Sequence, residues 1–280
     1  MLSYAQGHTW WANNVAWDGS SHWSTYIISA PRFLGPNALP IPIQNNGVLL
    51  QESQLELAGN AHFTAGDQTY NPKLSLDYVL VPEKVAFRLS WVPIEYFKTR
   101  HELKTERRIF HTFYDQKTAT GDVYLHTNIQ VLNENQHFAN ARLRIGYRFA
   151  SSNYQGAARF TDAPGYYFDL GTSKDIKTDK IHWRPSLMLG FFVWQTNRAD
   201  QFQNDAFLYG LGLEMMNEKY TLGINYRGYL GYLDNGDKPA VLDLRVSHNL
   251  GRFELFAGGG IGFADNLYDR LELGSAYQFK

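Results

Sequence analysis

The sequence contains no cysteine, which removes a disulfide framework and any thiolate metal site. It is also poor in charge. Lys, Arg, Asp and Glu make up 19% of the 280 residues, against about 25% in an ordinary soluble domain. The two signs cancel to −1, so no field of one sign steers nucleic acid, and no nucleic-acid partner is expected. No stretch approaches the ~20 apolar residues of a spanning helix, and the mean hydropathy is −0.38. That excludes a helical membrane protein but not a membrane, because strands that alternate apolar and polar residues average out as polar. Amphipathic helices of useful length are missing from the pattern as well, so nothing helical is at hand to cover a sheet.

What the chain has in quantity is aromatics, at 15%, and glycine, 24 in all. Its dominant pattern is period-2 alternation in segments longer than the ~5–6 residues usual for a soluble strand. In Asp122 to Val131, the apolar-leaning face is Val123, Leu125, Thr127, Ile129 and Val131. From Asn140 to Phe149, Ala141, Leu143, Ile145, Tyr147 and Phe149 share one face, and Asn140, Arg142, Arg144, Gly146 and Arg148 the other. Three arginines on one face fit a soluble core poorly, whereas in a membrane barrel that face looks into a polar lumen.

The same reading places strands near 51–64, 69–81, 84–97, 119–132, 137–151, 164–174, 181–195, 204–216, 219–232, 239–249, 252–263 and 267–279. Each of these twelve reaches the ~9–11 residues that a tilted spanning strand needs. Short connectors alternate with mostly longer ones, the arrangement of barrels with tight periplasmic turns and long outer loops. The fold class predicted is therefore all-β, a closed antiparallel transmembrane β-barrel of about twelve strands (alternatively fourteen, if His22 to Phe33 adds a strand), preceded by an irregular N-terminal segment. Aromatics such as Tyr78, Trp91, Tyr166, Tyr220 and Phe253 fall on the apolar face near strand ends, as a belt at the membrane interface requires.

The last strand, Leu271-Glu272-Leu273-Gly274-Ser275-Ala276-Tyr277-Gln278-Phe279-Lys280, resembles the C-terminal signal of bacterial outer-membrane β-barrel proteins, with alternating apolar residues and a near-terminal aromatic. Lys280 after the aromatic departs from the strict pattern. The resemblance implies residence in the outer membrane of a Gram-negative bacterium, with outer-membrane lipid and lipopolysaccharide as surroundings. It carries no catalytic residue with it.

Projected inward, the polar faces give an inventory in which acids and bases nearly balance. Balance argues for mutual salt bridges across the lumen over a pore ringed by one sign of charge. Candidate lumen or ligand residues are Arg142, Arg144 and Arg148, whose forked guanidinium groups suit carboxylate or phosphate, with Asp122, His126, Glu56, Arg227 and Glu254. Asp122, Glu56 and Glu254 are the acids available to pair with the three arginines. Gly171, Gly190, Gly210, Gly212, Gly223, Gly231, Gly258, Gly260 and Gly262 also face inward, and an inward glycine calls for a close approach or a bend.

Residues 1–50 do not alternate. They hold Trp10, Trp11, Trp17 and Trp23, then Pro31, Pro36, Pro40 and Pro42, a proline density that excludes central strands. Their apolar side chains need burial, so this segment is expected to plug the barrel 51–280, cap its periplasmic mouth, or dock a protein partner. The loop 98–118, basic with Lys104, Arg107, Arg108 and His111 among others, is a candidate for lipopolysaccharide phosphates.

A catalytic constellation does not emerge. His126 and Thr127 face opposite sides, as do Ser247 and His248, and His101-Glu102 is followed at 105 by Thr105 where a zinc protease needs histidine. Asp234-Asn235-Gly236-Asp237 has calcium-like ligands, but Asn-Gly with Asp is first of all a turn. No cofactor or metal is expected. The function read from the sequence is an outer-membrane channel or transport barrel for small solutes. The alternatives are a non-conducting barrel serving as subunit or scaffold, a lipid-modifying outer-membrane enzyme, and, at the level of fold, a soluble β-sandwich.

Overall fold

The computed structural model describes residues 2–110 and 115–280, with side chains from Thr9 onward. Fifteen strands follow one another along the chain: β1 Ser53–Thr64, β2 Asp67–Val81, β3 Val85–Trp91, β4 Glu95–Thr99, β5 Gln116–Ala119, β6 Val123–Leu132, β7 Asn140–Phe149, β8 Gly165–Ser173, β9 Ile176–Lys177, β10 His182–Gln195, β11 Gln203–Met216, β12 Tyr220–Gly231, β13 Pro239–Leu250, β14 Phe253–Ala264 and β15 Asp269–Phe279. Twelve of them form a closed antiparallel ring, because β1 pairs with β15 on one side and β2 on the other. The strands outside the ring are β4, β5 and β9. Closure leaves the ring itself without a free edge, the condition for a sheet to exist inside hydrocarbon.

Alternation sets what each strand shows to either side. On β1, Leu55 and Leu57 point outward at 49% and 51% exposure, while Glu56, Ala58, Asn60 and His62 point inward and are buried. On β7, Ile145, Tyr147 and Phe149 face out and Arg144 and Arg148 face in. The outer surface is thus a belt of leucine, isoleucine, valine and aromatic side chains, with Tyr78, Tyr166, Tyr220 and Phe253 among its exposed rings. Such a surface is costly in water and at rest in lipid.

Two expected strands are broken. The stretch read as 84–97 ends as β3 at Trp91 and resumes as β4 at Glu95, and that read as 119–132 is preceded by β5, with Thr120 to Asp122 between it and β6. Pro93 interrupts the ladder because it has no N–H to donate. Beyond the breaks β4 pairs with β5 as β3 pairs with β6, so the hairpin projects past the ring at the long-loop end. A short helix, α2 His101–Glu106, lies in the stretch that joins β4 and β5.

The N-terminal segment contains a fourteen-residue helix, α1 Leu2–Val15, where irregular chain was expected. The stretch His22 to Phe33 is not a strand. Single 3-10 turns occupy Trp23–Tyr26, where the His22 side chain accepts from the Ser24 N–H, and Pro31–Phe33, where proline opens the turn. The fourteen-strand alternative is thereby excluded.

Candidate functional site

Residues 27–49 run through the lumen as a strap that turns at Pro31–Phe33 and again at 36–38, and the wall of the barrel holds them by their backbone. Proline at 36, 40 and 42 removes N–H donors and leaves carbonyls, which cannot join a ladder and must find donors elsewhere. Arginines supply them. Arg148 Nη1 donates to the Ala38 carbonyl at 3.2 Å, Arg144 Nη2 to that of Ile43 at 2.8 Å, and Arg142 Nη1 to that of Val48 at 2.6 Å. Arg227 Nη1 donates to the carbonyls of Ile41 and Pro42. The Tyr229 hydroxyl donates to Leu39 O at 2.9 Å, and the Trp194 indole to Ser29 O at 2.8 Å.

Three of the four docking arginines are also fixed to the wall, while Arg142 gives its Nε to Asn45 of the strap. Arg144 Nε donates to Asp169 at 2.8 Å, Arg148 pairs with Asp122 at 3.1 Å, and Arg227 pairs with Asp243. Asp122 takes two further N–H bonds, from Ser151 and Ser152. Of the three acids considered for the arginine face, only Asp122 serves it. Glu56 pairs with Arg88 and Arg245, and Glu254 with Arg245. Some wall pairs link neighbouring strands, as Arg88–Asp77 and Arg144–Asp169 do, and others skip strands, as Arg245 on β13 does in reaching Glu56 on β1 and Glu272 on β15.

The inward glycines on β8 and β11 make room for the strap. A Cβ at Gly171 would lie 2.4 Å from the backbone oxygen of Asn45, and one at Gly210 would lie 2.1 Å from Gln44 Oε1. The strap answers with Gly47, whose φ of +79 and 3.0 Å approach to the backbone of Thr172 and Ser173 leave no place for a side chain. Asn45, fully buried, bridges Asp169 and the Arg142 carbonyl through its amide.

From the short-turn end, where Gln130 brackets Gly47 and Leu49, the strap climbs to the long-loop end. There Ile27, Leu34, Ala38 and Leu39 pack with Tyr167, Phe192, Trp194 and Tyr229. The segment before it lies over the outer hairpin. Trp11 donates to Arg108 O, Asn14 to Thr105 O, and Trp23 stacks on Phe110 at 5.0 Å. The part of the N-terminal segment before the strap therefore sits at the long-loop end.

Beside the strap is a cavity of about 170 Å³, lined by wall residues of β1, β2, β3 and β6 and also of β8, β12, β13 and β15. One side carries Leu39, Ile41 and Ile43 of the strap; the other carries His62, Lys73 and His126 of the wall. His126 is 7% exposed, lies against the rings of Tyr124 and Tyr167, and neither ring nitrogen has a hydrogen-bond partner.

No protein-family model matches the chain, and no curated protein does. Solved structures do. The COG4313 outer membrane channel from Pseudomonas putida F1 is 12% identical, with 86% of this chain and 100% of that chain covered at a TM-score of 0.61. LpxR from Salmonella typhimurium is 8% identical, with 80% and 100% covered at 0.51. The fold is that of an outer-membrane β-barrel. Its twelve-strand ring and outward apolar belt place this chain in the outer membrane of a Gram-negative bacterium.

In this outer-membrane barrel the basic loop is less available than its composition implied. Arg107 is buried against Asp67 and Tyr268, and Lys104 is bonded to Asp115 at 2.6 Å. Arg108 is exposed; His111 lies outside the described residues. Asp237 closes its own turn, accepting from Asn204 and the Leu233 N–H. Among the described residues no cluster of His, Asp and Glu is arranged to hold a metal ion. The buried rings of Trp194 and Tyr229 were not singled out from the sequence, although both fall on the inward register of their strands.

Proposed function

We propose that this barrel is an outer-membrane channel for small solutes, and that its own N-terminal strap sets whether the lumen conducts. The observation that carries the reading is the manner of docking. The strap is held by hydrogen bonds to its carbonyls and side-chain amides and by one aromatic cluster, non-covalent contacts that can be released without breaking the ring. A 170 Å³ cavity remains beside it. The likeness to the COG4313 channel adds support at the level of fold.

The likeness to LpxR does not favour an enzyme. His22 Nδ1 lies 2.8 Å from Ser24 Oγ, but the same nitrogen accepts the Ser24 N–H and so caps a turn.

Planar-bilayer recordings of the full-length barrel and of a form lacking residues 1–46 test the channel reading. The shortened barrel is expected to pass steps several times larger than those of the full-length protein. Silence from both, with the ring shown to be folded by its heat-dependent mobility on gels, would sink the channel and leave a scaffold.

A further inference from the structure

The cavity beside the strap joins two surfaces of opposite character. Its strap side is apolar. Ile43 lies inside the ring, its carbonyl bound by Arg144, yet 42% of its surface is exposed, so its side chain looks into open lumen. Leu39, Ile41, Pro40 and Pro42 continue that side.

The wall side is polar and under-occupied. Asn60 Oδ1, His62 Nε2, Tyr124 Oη and both nitrogens of His126 are buried with no hydrogen-bond partner, and all four residues line the cavity. Asn60, His62 and His126 are each more than nine-tenths buried. Buried polar atoms without partners are costly, so a cluster of them facing one space marks a place where something binds.

Charge narrows what that is. Around the cavity Arg88 is committed to Asp77 and Glu56, Arg227 to Asp243, and Arg270 to Asp243 and Glu272. Lys73 lines the same cavity and makes no ion pair among the described residues. Its would-be partners Glu56 and Glu272 are already taken by Arg88, Arg245 and Arg270. The charge left to offer a ligand is therefore positive.

We propose that the cavity is a binding site for a small amphipathic anion, with its carboxylate head accepting from Lys73, the Tyr124 hydroxyl and an imidazole N–H of His62 or His126, and its apolar body along Leu39, Ile41 and Ile43. The space suits a molecule about the size of a substituted benzene ring, since a cavity of ~150 Å³ holds benzene. The site deepens the channel reading and rests on it for its purpose only. Binding is measured without current and conduction without ligand, so the failure of one is distinguishable from the failure of the other.

The test is calorimetric titration of the full-length barrel, in lipid nanodiscs, with hexanoate and with hexan-1-ol, which differ in the charge of the head. Hexanoate is expected to bind about tenfold more tightly, the scale of one charge-assisted hydrogen bond. Lys73→Gln is expected to erase that preference and Lys73→Arg to keep it. Equal affinity for acid and alcohol in the unaltered protein would overturn the anion site without any variant having to fold. No heat from hexanoate would overturn the site altogether, and so would an unchanged preference in Lys73→Gln.

Discussion

Arginine is the residue on which the lumen turns. Arg142, Arg144, Arg148 and Arg227 each donate to the strap backbone, and three of the four also pair with a wall aspartate. Lysine, with a single point of charge, would not span acid and carbonyl in a fixed fork. Glycine is the complement, because it lets the strap backbone approach the wall. Replacing Gly171 by Ala sets a methyl group 2.4 Å from Asn45 O, an overpacking of about 1–3 kcal/mol that the ring is expected to survive. The strap should lift there, and single-channel recordings should show a higher open probability than in the unaltered protein. Unchanged conductance would mean that the strap and the pore are not coupled.

At the scale of elements, the outer hairpin β4–β5 is fastened to the ring by a buried charge cluster. Asp67 on β2 receives Arg107 at 2.9 Å and also pairs with Arg159. Arg159 in turn reaches Glu95 on β4 at 2.8 Å. Asn37 of the strap donates to the same Glu95 at 2.6 Å. Arg159, Asp67 and Glu95 are fully or almost fully buried. Removing one partner of such a pair leaves a charge stranded, which costs about 3–5 kcal/mol. Arg159→Ala is expected to lower the urea midpoint of the folded barrel accordingly. Arg198→Ala, which breaks only a surface pair with Asp200, should leave it within about 1 kcal/mol. A similar shift for both would show that the cluster does not fasten the hairpin.

For the whole molecule, the path of the strap has a topological consequence. Its later part lies at the short-turn end and α1 over the long loops, and since barrels put their long loops outside, α1 is expected on the cell exterior. The chain has no cysteine of its own, which makes a single introduced thiol diagnostic. Asn13 is exposed on α1. Asn13→Cys is expected to react with a membrane-impermeant maleimide on intact cells, and protection until the outer membrane is opened would reverse the placement.

The sequence by itself determined the barrel. Strict alternation over segments of spanning length leaves only a closed ring once no helix covers the sheet, and it assigned Arg142, Arg144, Arg148, Asp122, His126 and Glu56 to the inner face. It also marked residues 1–50 as unable to be strands, because proline forbids the ladder. What it did not decide was every relation across the lumen. Asp169 as the partner of Arg144, the carbonyls of Ala38 and Ile43 as acceptors, and the end of the barrel at which α1 lies depend on which wall the strap touches. Alternation fixes which face a side chain shows. It says nothing about which atoms, contributed by a segment a hundred residues away and free of any ladder, come to meet it there.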